Sequence, residues 1–107
     1  MSLNEIDVFE LRSILEDNLD FILLDVRTEN EVVMSKISKS THIPMSDIPI
    51  RLNELDQSKK IIVYCKSGKR SAKVCEYLLN NKFINVKNLR GGILSWAEKI
   101  DSNITVY

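Results

Sequence analysis

Apolar positions along the chain change period several times, and each change marks an element. After Asn4-Glu5-Ile6, a candidate first strand, Val8, Leu11, Ile14 and Leu15 recur at helical spacing. Asp7 stands where an N-cap belongs, with Glu10 three residues on as a capping-box partner, and this helix should stop near Asn18. Phe21-Ile22-Leu23-Leu24 is a continuous apolar run, the pattern of a strand buried on both faces of a parallel sheet. Thr28 and Glu31 repeat the capping-box spacing and predict a short helix over residues 29–34. Residues 35–40 read as loop, and Thr41-His42-Ile43-Pro44 as a brief strand halted by proline. Ser46 or Asp47 is placed to cap a helix running through Pro49 to Leu55, and a polar loop follows.

Ile61-Ile62-Val63-Tyr64 is the second buried strand, rich in β-branched residues. Residues 71–81 predict a helix with Ala72, Val74, Cys75, Leu78 and Leu79 on its apolar side. Asn85-Val86-Lys87-Asn88-Leu89 reads as a further strand, and Arg90-Gly91-Gly92 as a backbone turn into a last helix over residues 93–99. Strands alternating with helices predict an α/β fold: an open, mostly parallel sheet with helices on both faces. Such sheets bind ligands beyond the carboxyl ends of their strands. Asp25-Val26-Arg27 and the segment after Tyr64 both lie at such ends, so the two should be neighbours in space.

Length and charge narrow the picture. A chain of 107 residues suits one domain, expected over residues 1–107. Lys plus Arg and Asp plus Glu each number 15, which argues for neither a nucleic-acid binder nor an acidic tail. The balance is uneven locally, with bases crowding positions 59–73. No apolar run approaches the ~20 residues that span a bilayer. Asn4, Glu5 and Asp7 stand where a signal peptide would need a basic and then apolar segment, so the expected location is cytoplasmic, and nothing demands more than a monomer. Two reduced thiols, Cys65 and Cys75, suit that compartment. Their spacing and a single histidine, His42, argue against a metal site, and no cofactor is implied.

The chemistry concentrates in Cys65-Lys66-Ser67-Gly68-Lys69-Arg70-Ser71-Ala72. A cysteine at the mouth of a strand-to-helix loop gains acidity from the helix N-terminus and from Lys66, Lys69 and Arg70. A tight loop also turns successive N–H groups inward as an anion nest, and Gly68 supplies a φ > 0 without strain. The competing reading of Cys65 is a small buried residue at a strand end. Cys75 reads as core packing, and His42, before Ile43-Pro44, as a structural or surface residue rather than a base. Cysteine phosphatases space their Cys and Arg by five residues; here four separate Cys65 from Arg70. The narrower ring suits one outer sulfur atom better than a phosphate.

At this loop the chain resembles the rhodanese-type sulfurtransferases. Leu23-Leu24-Asp25-Val26-Arg27 with Glu31 is similar to the family's first signature, His42-Ile43-Pro44 with Ser46 to its middle segment, and Leu89-Arg90-Gly91-Gly92-Ile93-Leu94-Ser95-Trp96 to its last. The likeness covers nearly the whole chain. It departs where many members carry Gly-His and this chain has Ser35-Lys36-Ile37. The resemblance implies a three-layer α/β/α fold with a mostly parallel five-stranded sheet. It implies a thiosulfate sulfurtransferase-type enzyme in which Cys65 accepts a sulfane sulfur as a persulfide and passes it on. The loop Lys66, Ser67, Gly68, Lys69, Arg70 would bind persulfide and anionic donor. Arg27 matches a position that helps bind the donor; a salt bridge to Asp25 or Glu31 is its equally weighted alternative. The tail, Trp96-Ala97-Glu98-Lys99-Ile100-Asp101 ending near Tyr107, is similar to rhodanese domains fused behind adenylating enzymes, which implies a sulfur-carrier protein as partner. The exposed, basic loop equally suits docking of a persulfidated cysteine desulfurase. Two other readings stand beside this one: a small cysteine phosphatase or arsenate reductase, and a non-catalytic protein-binding module.

Overall fold

The computed structural model describes residues 4–106. The expected domain over residues 1–107 therefore includes Met1, Ser2, Leu3 and Tyr107, which lie outside the described residues, as does the end of the tail resemblance.

Five strands are interleaved with four helices: β1 (Glu5–Ile6), α1 (Val8–Glu16), β2 (Ile22–Asp25), α2 (Glu29–Met34), β3 (Thr41–His42), β4 (Ile61–Tyr64), α3 (Lys69–Asn80), β5 (Val86–Leu89) and α4 (Gly92–Lys99). The sheet order is β1-β5-β4-β2-β3, and every pairing is parallel. The continuous apolar runs explain why β4 and β2 sit in the middle. All four residues of β4 are buried, as are Leu23, Leu24 and Asp25 of β2, because helices cover both faces.

The pleat sends alternate side chains to two cores. Leu24, Ile61 and Val63 join Val74, Cys75 and Leu78 of α3, together with Ile48 and Leu55. Leu23, Ile62 and Tyr64 join Val8 and Leu11 of α1, and Ile93 and Trp96 of α4. This is the three-layer arrangement the sequence predicts. No helix among the described residues is long and apolar enough to cross a membrane.

Both predicted capping boxes close. Asp7 accepts from Glu10 N–H at 2.8 Å, and Thr28 with Glu31 does the same for α2. The helix expected from Ser46 or Asp47 to Leu55 does not form. Two 3₁₀ turns, Met45–Asp47 and Leu52–Glu54, take its place, and neither has a side-chain cap. Pro49 has no N–H to continue an α-helical ladder, and the chain bends so that Ile48 and Leu55 both reach the core. Register then sets up the site. Asp25 of β2 lies opposite Tyr64 of β4, and Val26 N–H donates to the Tyr64 carbonyl at 3.1 Å. The Asp25-Val26-Arg27 and Cys65 segments leave the sheet side by side, as expected.

Candidate active site

Cys65 is the first residue past β4 and is only 1% exposed. Its sulfur forms the floor of a loop that turns at Gly68, where φ is +104°. That turn brings the Gly68 N–H back to Sγ at 3.1 Å; the Ser71 N–H lies at 3.4 Å and the Ser71 hydroxyl at 3.3 Å. Helix α3 has no side-chain hydrogen bond at its N-cap. The sulfur fills that role, accepting from N–H groups that an α-helix leaves unpaired at its start. This explains a departure from the sequence reading, in which Ser71 opens the helix. The helix begins two residues earlier, at Lys69, and Ser71 is a buried first-turn residue facing the thiol.

Burial works against ionisation of Cys65. The Ser71 hydroxyl and the backbone N–H groups of Ser71, Gly68 and Ser67 outweigh it and hold the thiol below its ordinary value. The leading favourable influences are hydrogen bonds rather than the flanking cations. The Ser71 hydroxyl has one proton and two acceptors, since it also reaches Asn88 Oδ1. Asn88 Nδ2 donates to the Gly68 carbonyl at 3.1 Å, which fixes the amide with its oxygen toward the serine. The backbone donors are thus the constant part of the thiol's surroundings and the hydroxyl the variable part. Ser71→Ala is expected to raise the thiol pKa. Sulfur uptake at acidic pH should fall by about threefold and converge with wild type at alkaline pH, where both are ionised. Initial rates across pH read this directly, and an unmoved profile would leave the whole effect with the backbone.

The segment from Leu89 backs the loop. Ile93 N–H donates to the Cys65 carbonyl at 2.9 Å and Leu94 N–H to the Lys66 carbonyl at 3.1 Å. Gly92 sits at φ +61°, and a Cβ there would come within 2.5 Å of the Cys65 oxygen. The predicted backbone turn is therefore also a close approach between two chain segments.

The charged residues divide into paired and unpaired. Arg70 grips Glu31 through both ends of its fork, at 2.6 and 2.9 Å. That contact, assisted by Thr28 and opposed by burial, pulls the Glu31 carboxyl down to about 2. Arg27 is 1% exposed: Nη2 meets Asp25 Oδ2 at 2.8 Å and the Ser35 carbonyl at 2.7 Å, and Nε meets Asp25 Oδ1 at 3.0 Å. Among the described residues, neither Lys66 nor Lys69 enters an ion pair.

Cys75 is fully buried in the α3 core, where burial pushes its thiol up to about 12. His42 Nε2 is hydrogen-bonded to the Arg27 carbonyl at 2.7 Å, and the hydrogen bonds to the thiol come from Gly68 and Ser71 instead. The stretch that departs from the family pattern is tied down in its own way, with the Ser35 carbonyl on Arg27 and the Ile37 N–H on the Tyr64 hydroxyl at 3.2 Å. Sequence reasoning missed Ser71 as a partner of the thiol, Asn88 as a brace, and Glu31 as the partner of Arg70. Asn88 carried a signal, a polar side chain inside a strand otherwise bound for burial.

The chain is similar to known proteins in both sequence and fold. The Rhodanese-like domain family matches residues 8–99. A protein of Allochromatium vinosum named Sulfurtransferase is 42% identical over 94 residues, covering 88% of each chain. The maize protein Adenylyltransferase and sulfurtransferase MOCS3-2 is 30% identical over 105 residues, covering 92% of this chain and 22% of that protein. The crystal structure of a rhodanese-like domain protein from Staphylococcus aureus superposes with a TM-score of 0.85 at 33% identity, covering 98% of this chain and 99% of the other. A family match over nearly the whole length, the five-stranded parallel sheet and the loop at the end of β4 agree: the chain belongs to the rhodanese-like domain family.

Proposed function

We propose that this domain is a sulfurtransferase that carries a sulfane sulfur as a persulfide on Cys65. The sulfur comes from a donor such as thiosulfate and goes to a thiophilic acceptor: cyanide, a thiol or a sulfur-carrier protein. The carrying observation is the convergence of the Gly68 and Ser71 N–H groups on the Cys65 sulfur, at 3.1 and 3.4 Å. Those donors favour the thiolate, the reactive form of cysteine.

In the first half-reaction the thiolate attacks the outer sulfur of the donor. A bond forms between Sγ and that sulfur, the donor's S–S bond breaks, and the bonding pair departs with the leaving group, sulfite when thiosulfate is used. In the second, the acceptor attacks the outer sulfur and the Cys65 thiolate is regenerated. Two half-reactions joined by a covalent intermediate predict ping-pong kinetics. The N–H groups of Lys66 to Arg70 would cradle the persulfide, and Lys66 and Lys69 would draw anions toward the loop. The sulfurtransferase names of the Allochromatium and maize relatives support the reaction class. A reducing, cytoplasmic setting suits two free thiols, and the reading requires no more than a monomer.

The test is direct. Incubation with thiosulfate should add one sulfur atom to the intact mass, and cyanide should remove it as thiocyanate. No mass gain from thiosulfate or an alkyl persulfide, together with turnover of an aryl phosphate, would replace this reading with the phosphatase one. No gain and no phosphate turnover would leave a binding module.

A further inference from the structure

The arginines beside the Cys65 loop are both already neutralised. Arg70 is held fork to fork by Glu31, at 2.6 and 2.9 Å. Glu31 is itself anchored from behind, since the Thr28 N–H and hydroxyl each donate to its Oε1 at 3.1 Å. The carboxylate is therefore fixed to the first turn of α2 and does not swing away with Arg70. Arg27 is buried on Asp25 and the Ser35 carbonyl. What remains near the thiol is Lys66 and Lys69, flexible and strongly hydrated ammonium groups with no rigid fork for an oxyanion. Next to the Glu31 pair lies a cleft of about 200 Å³, lined by Arg27, Asn30, Glu31, Met34 and Ser35. Its guanidinium is already committed and its other walls are neutral or acidic, which suits an organic group better than a sulfonate head.

Resting on the sulfurtransferase reading above, we propose that Glu31 is a specificity-determining residue, which by holding Arg70 tunes the loop toward thiol-borne persulfides and away from thiosulfate. The charges of the two reactions differ in the required way. With thiosulfate, the Cys65 thiolate takes the outer sulfur and a sulfite dianion departs with the S–S bonding pair. With an alkyl persulfide, the thiolate takes the outer sulfur, the same type of bond breaks, and a single thiolate departs to be protonated by water. A dianion entering and leaving needs about twice the favourable potential of a monoanion. The guanidinium best able to supply it is cancelled by Glu31.

Glu31→Gln tests this. The amide keeps the size of the side chain and an oxygen for the Thr28 N–H, so the cap on α2 survives while the negative charge is lost. Sulfur uptake by Cys65 is followed with thiosulfate and with 2-hydroxyethyl persulfide, whose leaving thiolate carries a single charge, as probes. In Glu31→Gln, kcat/KM for thiosulfate should rise by about tenfold while that for the persulfide stays within about threefold. The gain should vanish at high salt and in the Glu31→Gln/Arg70→Gln double variant, which shows that it acts through Arg70. Wild type should itself prefer the persulfide by at least about tenfold. An equal change on both donors, no change on either, or a wild-type preference for thiosulfate overturns the proposal. The last reading holds even if Glu31→Gln does not fold. Failure of wild type to load from either donor would overturn the sulfurtransferase reading itself, a different outcome.

Discussion

Cys65→Ser should abolish sulfur transfer, with uptake and thiocyanate formation reduced by at least about a thousandfold. Serine offers an oxygen of almost the same size to the same N–H groups, and it is a favoured acceptor at a helix start. Helix α3 keeps its cap, and the variant should fold with nearly unchanged thermal stability. What it loses is an acidic thiol, held below its ordinary value, and a soft nucleophile that can share a stable bond with sulfur. Loss of activity is therefore separable from loss of structure, which thermal unfolding measures on the same sample. Cys75→Ala is the contrast. It removes a buried atom from the α3 core and costs about 1 kcal/mol of packing, yet transfer should stay within about twofold. Sulfur uptake by Cys65→Ser would sink the assignment. Silence in a folded Cys75→Ala would make Cys75 a relay thiol.

The legible part of this protein was the part set by local pattern. Runs such as Ile61–Tyr64 announce buried strands because burial on both faces forbids polar alternation. Asp7 with Glu10, and Thr28 with Glu31, announce helix starts because the bonds they make are local. The position of Cys65 at a strand end followed from the same logic. Misreadings arose where a distant partner decides. Ser71 has the chemistry of a cap, but the Cys65 sulfur, six residues back, already accepts from the N–H groups of Gly68 and Ser71, so the helix starts earlier. Residues 45–54 carry caps and apolar spacing, yet Pro49 and the demand of the core for Ile48 and Leu55 yield two short turns.

Charge was the least legible feature. Lys66, Lys69 and Arg70 read as one basic cluster along the chain. Their fates differ because Glu31, thirty-nine residues away in sequence, reaches one of them and not the others. A count of cations near a cysteine therefore overstates the potential there. Hydrogen-bond donors fixed by the backbone are the more dependable source of a lowered thiol pKa, since a helix start supplies them wherever the chain turns tightly enough.

Arg27 brings the same lesson to stability, and Asp25→Ala should be the most destabilising single change at the site. Asp25 and Arg27 are 0% and 1% exposed, and the guanidinium reaches Asp25 through both Nε and Nη2. Removing the carboxylate leaves a buried cation whose remaining partners are carbonyl groups such as that of Ser35. Breaking one side of such a pair costs about 3–5 kcal/mol. For a chain of this size each kcal/mol lowers Tm by about 4–8 °C, so a fall of at least about 12 °C is expected. The pair itself need not be strongly stabilising, because both charges were desolvated to make it. The double variant Asp25→Ala/Arg27→Met should consequently recover at least about half of the loss, the sign of an uncompensated charge rather than of lost shape. Arg27→Met alone leaves Asp25 unpaired and should also destabilise. If Arg27 is a tie rather than a donor ligand, KM for sulfur donors should stay within about twofold in the folded double variant. A large rise in KM there, with no recovery of Tm, would restore Arg27 as a residue that meets the donor.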